Sequence, residues 1–277
     1  MAGKKKDTSL LHHLIGSRSL VWNLAKNDIK KKFAGSYFGV VWAFVQPVIT
    51  VLLYWFVFEK GLNSKATDLR TGIEIPFVLW LTAGLVPWFY FQEALNGGTG
   101  VLVEYSYLVK KVVFQIDMLP VVKMISALFT HLFFVAFTMV LFICMGYMPD
   151  WYALQVIYYS FCMILFATGL VYATSAVTVF FRDMKEVVGI LLQIGMWVTP
   201  IMWNFETMVQ IPGWAIAVLK LNPMYYIVSG YRNALINHIG FWEDMGLTVY
   251  FWVVTAVILF LGTTVFKRLR PHFADVL

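Results

Sequence analysis

The sequence predicts an all-α integral membrane protein with six transmembrane helices. Three observations carry this expectation. Of 277 residues, 60% are hydrophobic and only 13% are charged. A soluble domain carries about 25% charged residues, so this chain has too few to cover a water-facing surface. Six apolar runs approach the roughly 20 residues that a helix needs to cross the hydrocarbon core. Lysine and arginine also gather in alternate connections between those runs, as the positive-inside rule requires of a multi-pass protein.

The runs are 37–58, 76–100, 120–146, 151–181, 186–205 and 245–266. The second is interrupted by Glu93 and ends in "NGGTG", which leaves its inner end open, and the fifth is short. With the N-terminus inside, Lys4, Lys5, Lys6, Arg18, Lys26, Lys30, Lys31 and Lys32 are cytoplasmic. So are Lys110, Lys111, Lys123, Arg182, Lys185, Lys267, Arg268 and Arg270, making sixteen of the 21 basic residues. Lys60, Lys65, Arg70, Lys220 and Arg232 fall outside. This distribution predicts both termini in the cytoplasm. The start, "MAGKKKDTSLLHHLIG", lacks the compact apolar core and cleavage site of a secretory signal. Cys144 and Cys162 both lie in apolar runs and read as small apolar filler.

Three segments outside the spans carry pattern. Over 18–35, Val21, Trp22, Ala25, Ile29 and Phe33 share one helical arc, while Asn23, Asn27, Lys30 and Lys31 lie opposite. That suits a helix lying in the inner membrane interface. Lys32 intrudes on the apolar arc and is expected to snorkel. Over 104–117, Tyr105, Leu108, Val109, Val112, Val113 and Ile116 form a second helical stripe. Its water face carries Tyr107, Lys110, Lys111 and Phe114. Such a helix either rests on lipid headgroups or offers basic-flanked aromatics to a protein partner. Over 206–242, two short apolar pieces meet at Asn222-Pro223, a cap followed by a first-turn proline. Both flanking spans have their inner ends set by charge, so this pair starts and ends outside. It reads as two re-entrant helices dipping into the outer leaflet, or as an ordinary amphipathic external loop.

Chemistry-bearing motifs are missing from the sequence. There is no G-x-x-x-x-G-K-[ST] loop for a nucleotide, no H-E-x-x-H, no clustered Cys/His set and no G-x-S-x-G. His131 lies within the third run with no acid one turn away, which favours a hydrogen-bonded structural role over a proton relay. Glu93 is the one acid inside a span, and is either part of a pathway or a helix-pairing group. Aromatics crowd the first two runs; Trp42 and Phe44 lie deep enough to offer a broad apolar face.

Four stretches together resemble one family. They are "GVVWAFVQPVITVLLYWFVF", "LVKKVVFQIDMLP", "VFFRDMKEVVGILLQIGMWVTPIMW" and "LNPMYYIVSGYRNALI". In combination they are similar to the ABC-2 permeases that export O-antigen, capsule and teichoic acid chains, over nearly the whole of 1–277. The resemblance implies a single transmembrane domain that is no enzyme and holds no cofactor. ATP and Mg would sit on a separate ABC ATPase, present in two copies. A second copy of the chain would complete the channel, and the cargo would be a lipid-linked polysaccharide, with membrane lipids as neighbours and no nucleic acid. The location implied is the cell inner membrane.

The resemblance also assigns roles. The 18–35 helix becomes the interface helix, with Trp22, Ile29, Lys30 and Phe33. The 104–117 segment becomes the coupling helix, with Tyr107, Lys110, Lys111 and Phe114 facing the ATPase, joined by Arg182 and Asp183 from the turn between spans four and five. The 206–242 pair becomes the external gate, with Asn222, Pro223, Tyr225, Tyr226 and Arg232. Trp42, Phe44, Trp197 and Met202 become channel-wall candidates, because spans one and five line the channel in that family. Relatives often have proline where this chain has Gln115, which leaves the end of the coupling helix open. A permease for lipids or drugs would use the same machinery, and a secondary transporter or membrane-embedded enzyme fits the motif content less well.

Overall fold

In the computed structural model, residues 18–32, 34–110, 115–203 and 212–277 are described. The chain opens with α1 (Arg18–Lys32), followed by one 3-10 turn and α2 (Trp42–Trp55), which runs on as a π-helical turn to Gly61. A two-residue ladder, β1 (Ala66–Thr67) against β2 (Glu74–Ile75), closes a small antiparallel hairpin. Then come α3 (Phe77–Glu104), the four-residue α4 (Ser106–Val109), α5 (Met118–Cys144) and α6 (Gln155–Phe180). The chain continues through α7 (Met184–Val198), α8 (Gly213–Lys220), α9 (Pro223–Arg232), α10 (Met245–Leu269) and α11 (Phe273–Val276).

Among the described residues, four helical stretches are long and apolar enough to cross a membrane: Trp42–Gly61, Met118–Cys144, Trp151–Phe180 and Met245–Val276. The 28-residue α3 has the length, but Trp80, Trp88, Tyr90, Gln92 and Glu93 lower its hydropathy. At 15 residues, α7 rises about 22 Å, short of the roughly 30 Å hydrocarbon thickness. The expected fifth run of 186–205 therefore breaks early. Thr199 turns the chain to an extended conformation, and residues 199–203 are irregular. By contrast, "NGGTG" does not break α3, which stays helical through it.

α3 is the central post. Twenty of its residues are buried, from Phe77 to Leu102, between α5, α6, α9 and α7. Glycines set the closest approaches. At Gly98 a Cβ would collide with the Val171 side chain of α6, and at Gly262 of α10 it would collide with the Gly169 carbonyl oxygen of α6. Small residues let helix backbones meet where lipid supplies no hydrophobic drive.

The connections fall into two groups at opposite ends of the bundle. At one end, Asp28 of α1 meets Tyr105 and Lys123, Arg270 meets Asp117, and the Phe180 and Phe273 rings lie 6.2 Å apart. At the other end, the amide of Leu69 donates to Asn237, Gln155 donates to the Ile239 carbonyl, and Tyr158 and Tyr226 share a hydrogen bond. The hairpin loop there is tied by Asp68, which accepts from the Arg70 amide and the Thr71 hydroxyl. Burial alone would push its carboxyl up, but these donors outweigh burial and hold it below its usual value.

Candidate functional site

A cavity of about 830 Å³ opens between α1, α2, α3 and α5. Trp42, Phe44 and Tyr54 of α2, Phe89 of α3 and Phe129 of α5 give it an aromatic wall. Gln92, Glu93 and Asn96 of α3 give it a polar floor, because positions i, i+1 and i+4 share a helix face. Lys31, Lys32 and Lys123 stand at its rim with Asp28 and Glu104. No group of three metal-ligating side chains exists among the described residues. The arrangement offers apolar ring faces and amide or carboxylate hydrogen bonds, which suits contact with a polar, ring-containing molecule more than bond chemistry.

Two wall candidates, Trp42 and Phe44, lie on this cavity, and the Phe44 ring packs 4.1 Å from Phe133. The other two do not. Trp197 is 58% exposed on the outside of α7, and it is Met196 beside it that reaches the cavity. Met202 is 2% exposed and belongs to the core, because the chain leaves helical form at Thr199 and turns inward.

On α1, two charged residues sit inside the apolar arc, and both are paired. Asp28 is buried; its Oδ1 accepts from the Tyr105 hydroxyl at 2.8 Å and from Lys123 Nζ at 2.6 Å. Lys123 also reaches Glu104 Oε2 at 2.8 Å. Lys32 does not snorkel towards lipid: its Nζ lies 2.6 Å from Glu93 Oε1. α1 is therefore pinned to α3 and α5 by ion pairs as well as by Val21 and Ala25. Burial, then the Asp28 carboxylate, pushes the Tyr105 phenol well above its usual range, so it stays a donor. Trp22 is 44% exposed and packs at a tilt with its ring centroid 5.3 Å from that of Phe129, with Lys26 over its ring; Ile29 lines the cavity and Lys30 is exposed. Phe33 lies outside the described residues. Asp28 was legible as an acid at i+3 from Ala25, on the wrong face for water.

The 104–117 segment is not one helix over its described part. Glu104 ends α3, Tyr105 kinks the chain, α4 covers only Ser106–Val109, and residues 115–117 are not helical. The stripe still sorts as periodicity predicts, with Tyr105 and Val109 buried and Tyr107 and Lys110 exposed. Lys31 sits over both the Tyr105 and Tyr107 rings. Lys111 and Phe114 lie outside the described residues. Arg182 and Asp183 are exposed in the turn between α6 and α7, at the same end as this segment.

At the opposite end, α8 and α9 form the expected pair of short helices. Asn222 caps α9 by accepting from the Met224 amide, donates to Thr199 Oγ1 at 2.7 Å, and is followed by Pro223 in the first turn. Tyr225 and Tyr226 are buried, and Tyr226 shares hydrogen bonds with Tyr158 and Thr248. Arg232, expected on the outer side as part of the gate pair, is buried there. It is 7% exposed, donates to the carbonyls of Pro200 and Ile201 at 2.7 Å each, and lies with Cζ 3.3 Å from the Trp80 ring centroid. Where α7 stops early, this guanidinium satisfies the carbonyls that the break leaves exposed. Gly84 makes room for it, since a Cβ there would stand 2.7 Å from Arg232 Nη2. His131 shares hydrogen bonds with Ser160 and Tyr231 in the core.

Residues 19–236 match the family described as ABC-2 type transporter. The chain is 25% identical over 266 residues to the O-antigen export system permease protein RfbA of Myxococcus xanthus, covering 96% of this chain and 98% of that one. It is 20% identical over 258 residues to each of two Klebsiella pneumoniae proteins of the same name, covering 92% of this chain and 93% of theirs. The long apolar helices of the bundle agree with that match: the chain is a multi-pass membrane protein of the ABC-2 type transporter family.

Proposed function

We propose that this chain is the permease subunit of an ATP-driven exporter that moves a lipid-linked polysaccharide, O-antigen foremost, out of the cytoplasm. Its six helices α2, α3, α5, α6, α7 and α10 cross the inner membrane, with both termini and the 104–117 segment in the cytoplasm. The observation that carries this reading is an open, aromatic-walled cavity beside two barely buried helices. Val51 is the one buried residue of α2, and α7 buries only Val188 and Leu192. These two helices flank a cavity with aromatic walls and a polar floor. A second copy of the chain, packed against α2 and α7, would turn the open cavity into an enclosed passage.

The chain itself has no nucleotide-binding loop, so the energy must arrive through a docked ATPase, one per permease. Tyr107, Lys110 and the Arg182–Asp183 turn supply an exposed, mixed aromatic and charged face for it. ATP binding there would shift the segment and α1, which are joined through Asp28 and Tyr105. That motion would open the cavity to the polymer, which slides past ring faces one sugar at a time. At the far end, α8 and α9 would act as the outer gate.

Affinity purification of the chain from its native membrane tests this reading. A Walker-bearing ATPase recovered in equal amount supports it. Recovery of the chain alone, with no ATPase, contradicts it.

A further inference from the structure

The last eight residues lie beyond the matched family segment, which ends at 236, yet they are built into the bundle. After α10, Arg270–His272 make one 3-10 turn and Phe273–Val276 a short helix. Here Phe273 is 0% exposed, with its ring 5.4 Å from Phe266 and 6.2 Å from Phe180. Its apolar cluster also holds Tyr105 and Val109 of the 104–117 segment. The tail makes a second, polar contact with the same segment. Arg270 Nη1 donates to Asp117 Oδ2 at 2.7 Å, and the Asp117 side chain is only 10% exposed.

The tail therefore touches the segment at its finish, through Asp117, and shares an apolar cluster with Tyr105 and Val109 at its start. α3 and α5 already hold it covalently. Tyr105 also ties its start to Asp28 of α1, and Tyr172, whose hydroxyl donates to the Asp117 carbonyl, ties its end to α6. Arg270 adds a tie from that same end to α10.

We propose that residues 270–277 are a positioning element: Phe273, seated against Phe266 and Phe180, anchors the turn from which Arg270 holds Asp117, so that a push on the end of the segment moves α10 with it. This rests on the reading of that segment as the ATPase docking face. An anchor held against α6 and α10 passes a displacement at Asp117 on to α10, whereas an untied end absorbs it.

The test uses the full chain with its ATPase subunits in proteoliposomes. ATP hydrolysed per polymer exported is measured for Arg270→Ala, Phe273→Leu, and the charge swap Arg270→Asp/Asp117→Arg, with Arg268→Ala as the neighbouring control. The expected result is undiminished ATPase recovery with Arg270→Ala, but a roughly fivefold rise in ATP used per polymer, restored to within about twofold by the swap. Phe273→Leu raises the ratio in the same direction, and Arg268→Ala leaves it unchanged. Hydrogen exchange on the permease alone gives a second readout. Amides of 115–117 are expected to exchange faster in Arg270→Ala, with those of α5 and α6 unaltered. An unchanged ratio in both assembled tail variants, a swap that fails to restore coupling, or unaltered exchange in the segment overturns the proposal. Failure of the wild-type chain to recover any ATPase would instead overturn the docking reading, and the exchange result would still decide whether the tail holds the segment.

Discussion

Arg232 lies flat on Trp80, its guanidinium carbon 3.3 Å from the ring centroid, while two of its nitrogens donate to the carbonyls of Pro200 and Ile201. One side chain thus joins α9 to α3 and to the irregular stretch after α7. Lysine can supply neither the planar stack nor the fork of donors. Arg232→Lys is expected to destabilise the detergent-solubilised protein by about 2 kcal/mol, and Arg232→Met by more, since buried carbonyls then lose their donors. Thermal unfolding followed by tryptophan fluorescence reads this. A melting temperature unchanged in both variants would contradict the assignment.

Asp28 and Lys123 form a pair in which both side chains are mostly buried, 7% and 13% exposed. Removing one partner strands the other charge, whereas removing both strands less. Lys123→Met is expected to cost about 2–3 kcal/mol, and Asp28→Asn/Lys123→Met clearly less than the sum of the two single changes. A double-variant cost equal to the sum would mean that the two charges do not interact.

Packing of α10 on α6 is set by Gly169 and Gly262. Gly262→Ala drives a methyl into the Gly169 carbonyl oxygen, so α10 must back away. A loss of roughly 2 kcal/mol and a lower yield of folded protein are expected. Gly189→Ala in α7 is the contrast, because a Cβ there meets open space. It is expected to be neutral or slightly stabilising, as alanine favours helix. Equal behaviour of the two variants in a thermal melt would refute this packing.

Much of this was legible beforehand, for identifiable reasons. Apolar length is a local property, so four of the six expected runs correspond to helices long and apolar enough to cross a membrane, and 76–100 to the long but less apolar α3. Asn222-Pro223 marked the start of α9 because cap and first-turn proline are local rules. Three features escaped because they depend on distant partners. Arg232 looked like an outer charge, since nothing local says that α7 will stop at Val198 and present bare carbonyls to it. Lys32 looked like a snorkelling side chain, since Glu93 is 61 positions away. The 104–117 stripe predicted which residues are buried, but periodicity alone could not see the kink at Tyr105, where the phenol is drawn to Asp28 of another helix.

The proposed docking role of the 104–117 segment carries a direct expectation. Lys110→Glu/Lys111→Glu reverses two neighbouring charges in the sequence, of which Lys110 is exposed, and leaves the buried Tyr105 and Val109 unchanged. The permease should remain folded and inserted while recovery of the ATPase falls by at least about tenfold, as expected when like charges meet across a contact. Undiminished recovery would remove this segment from the docking face.

The central claim is that this chain carries a lipid-linked polysaccharide across the membrane only when ATP is hydrolysed by a docked subunit. Inverted vesicles holding the permease and its ATPase, loaded from outside with radiolabelled lipid-linked polymer, measure it directly. The account predicts polymer protected inside the vesicles with ATP and none with a non-hydrolysable analogue. Equal accumulation with and without ATP, or none in either case while the complex is intact, would contradict it.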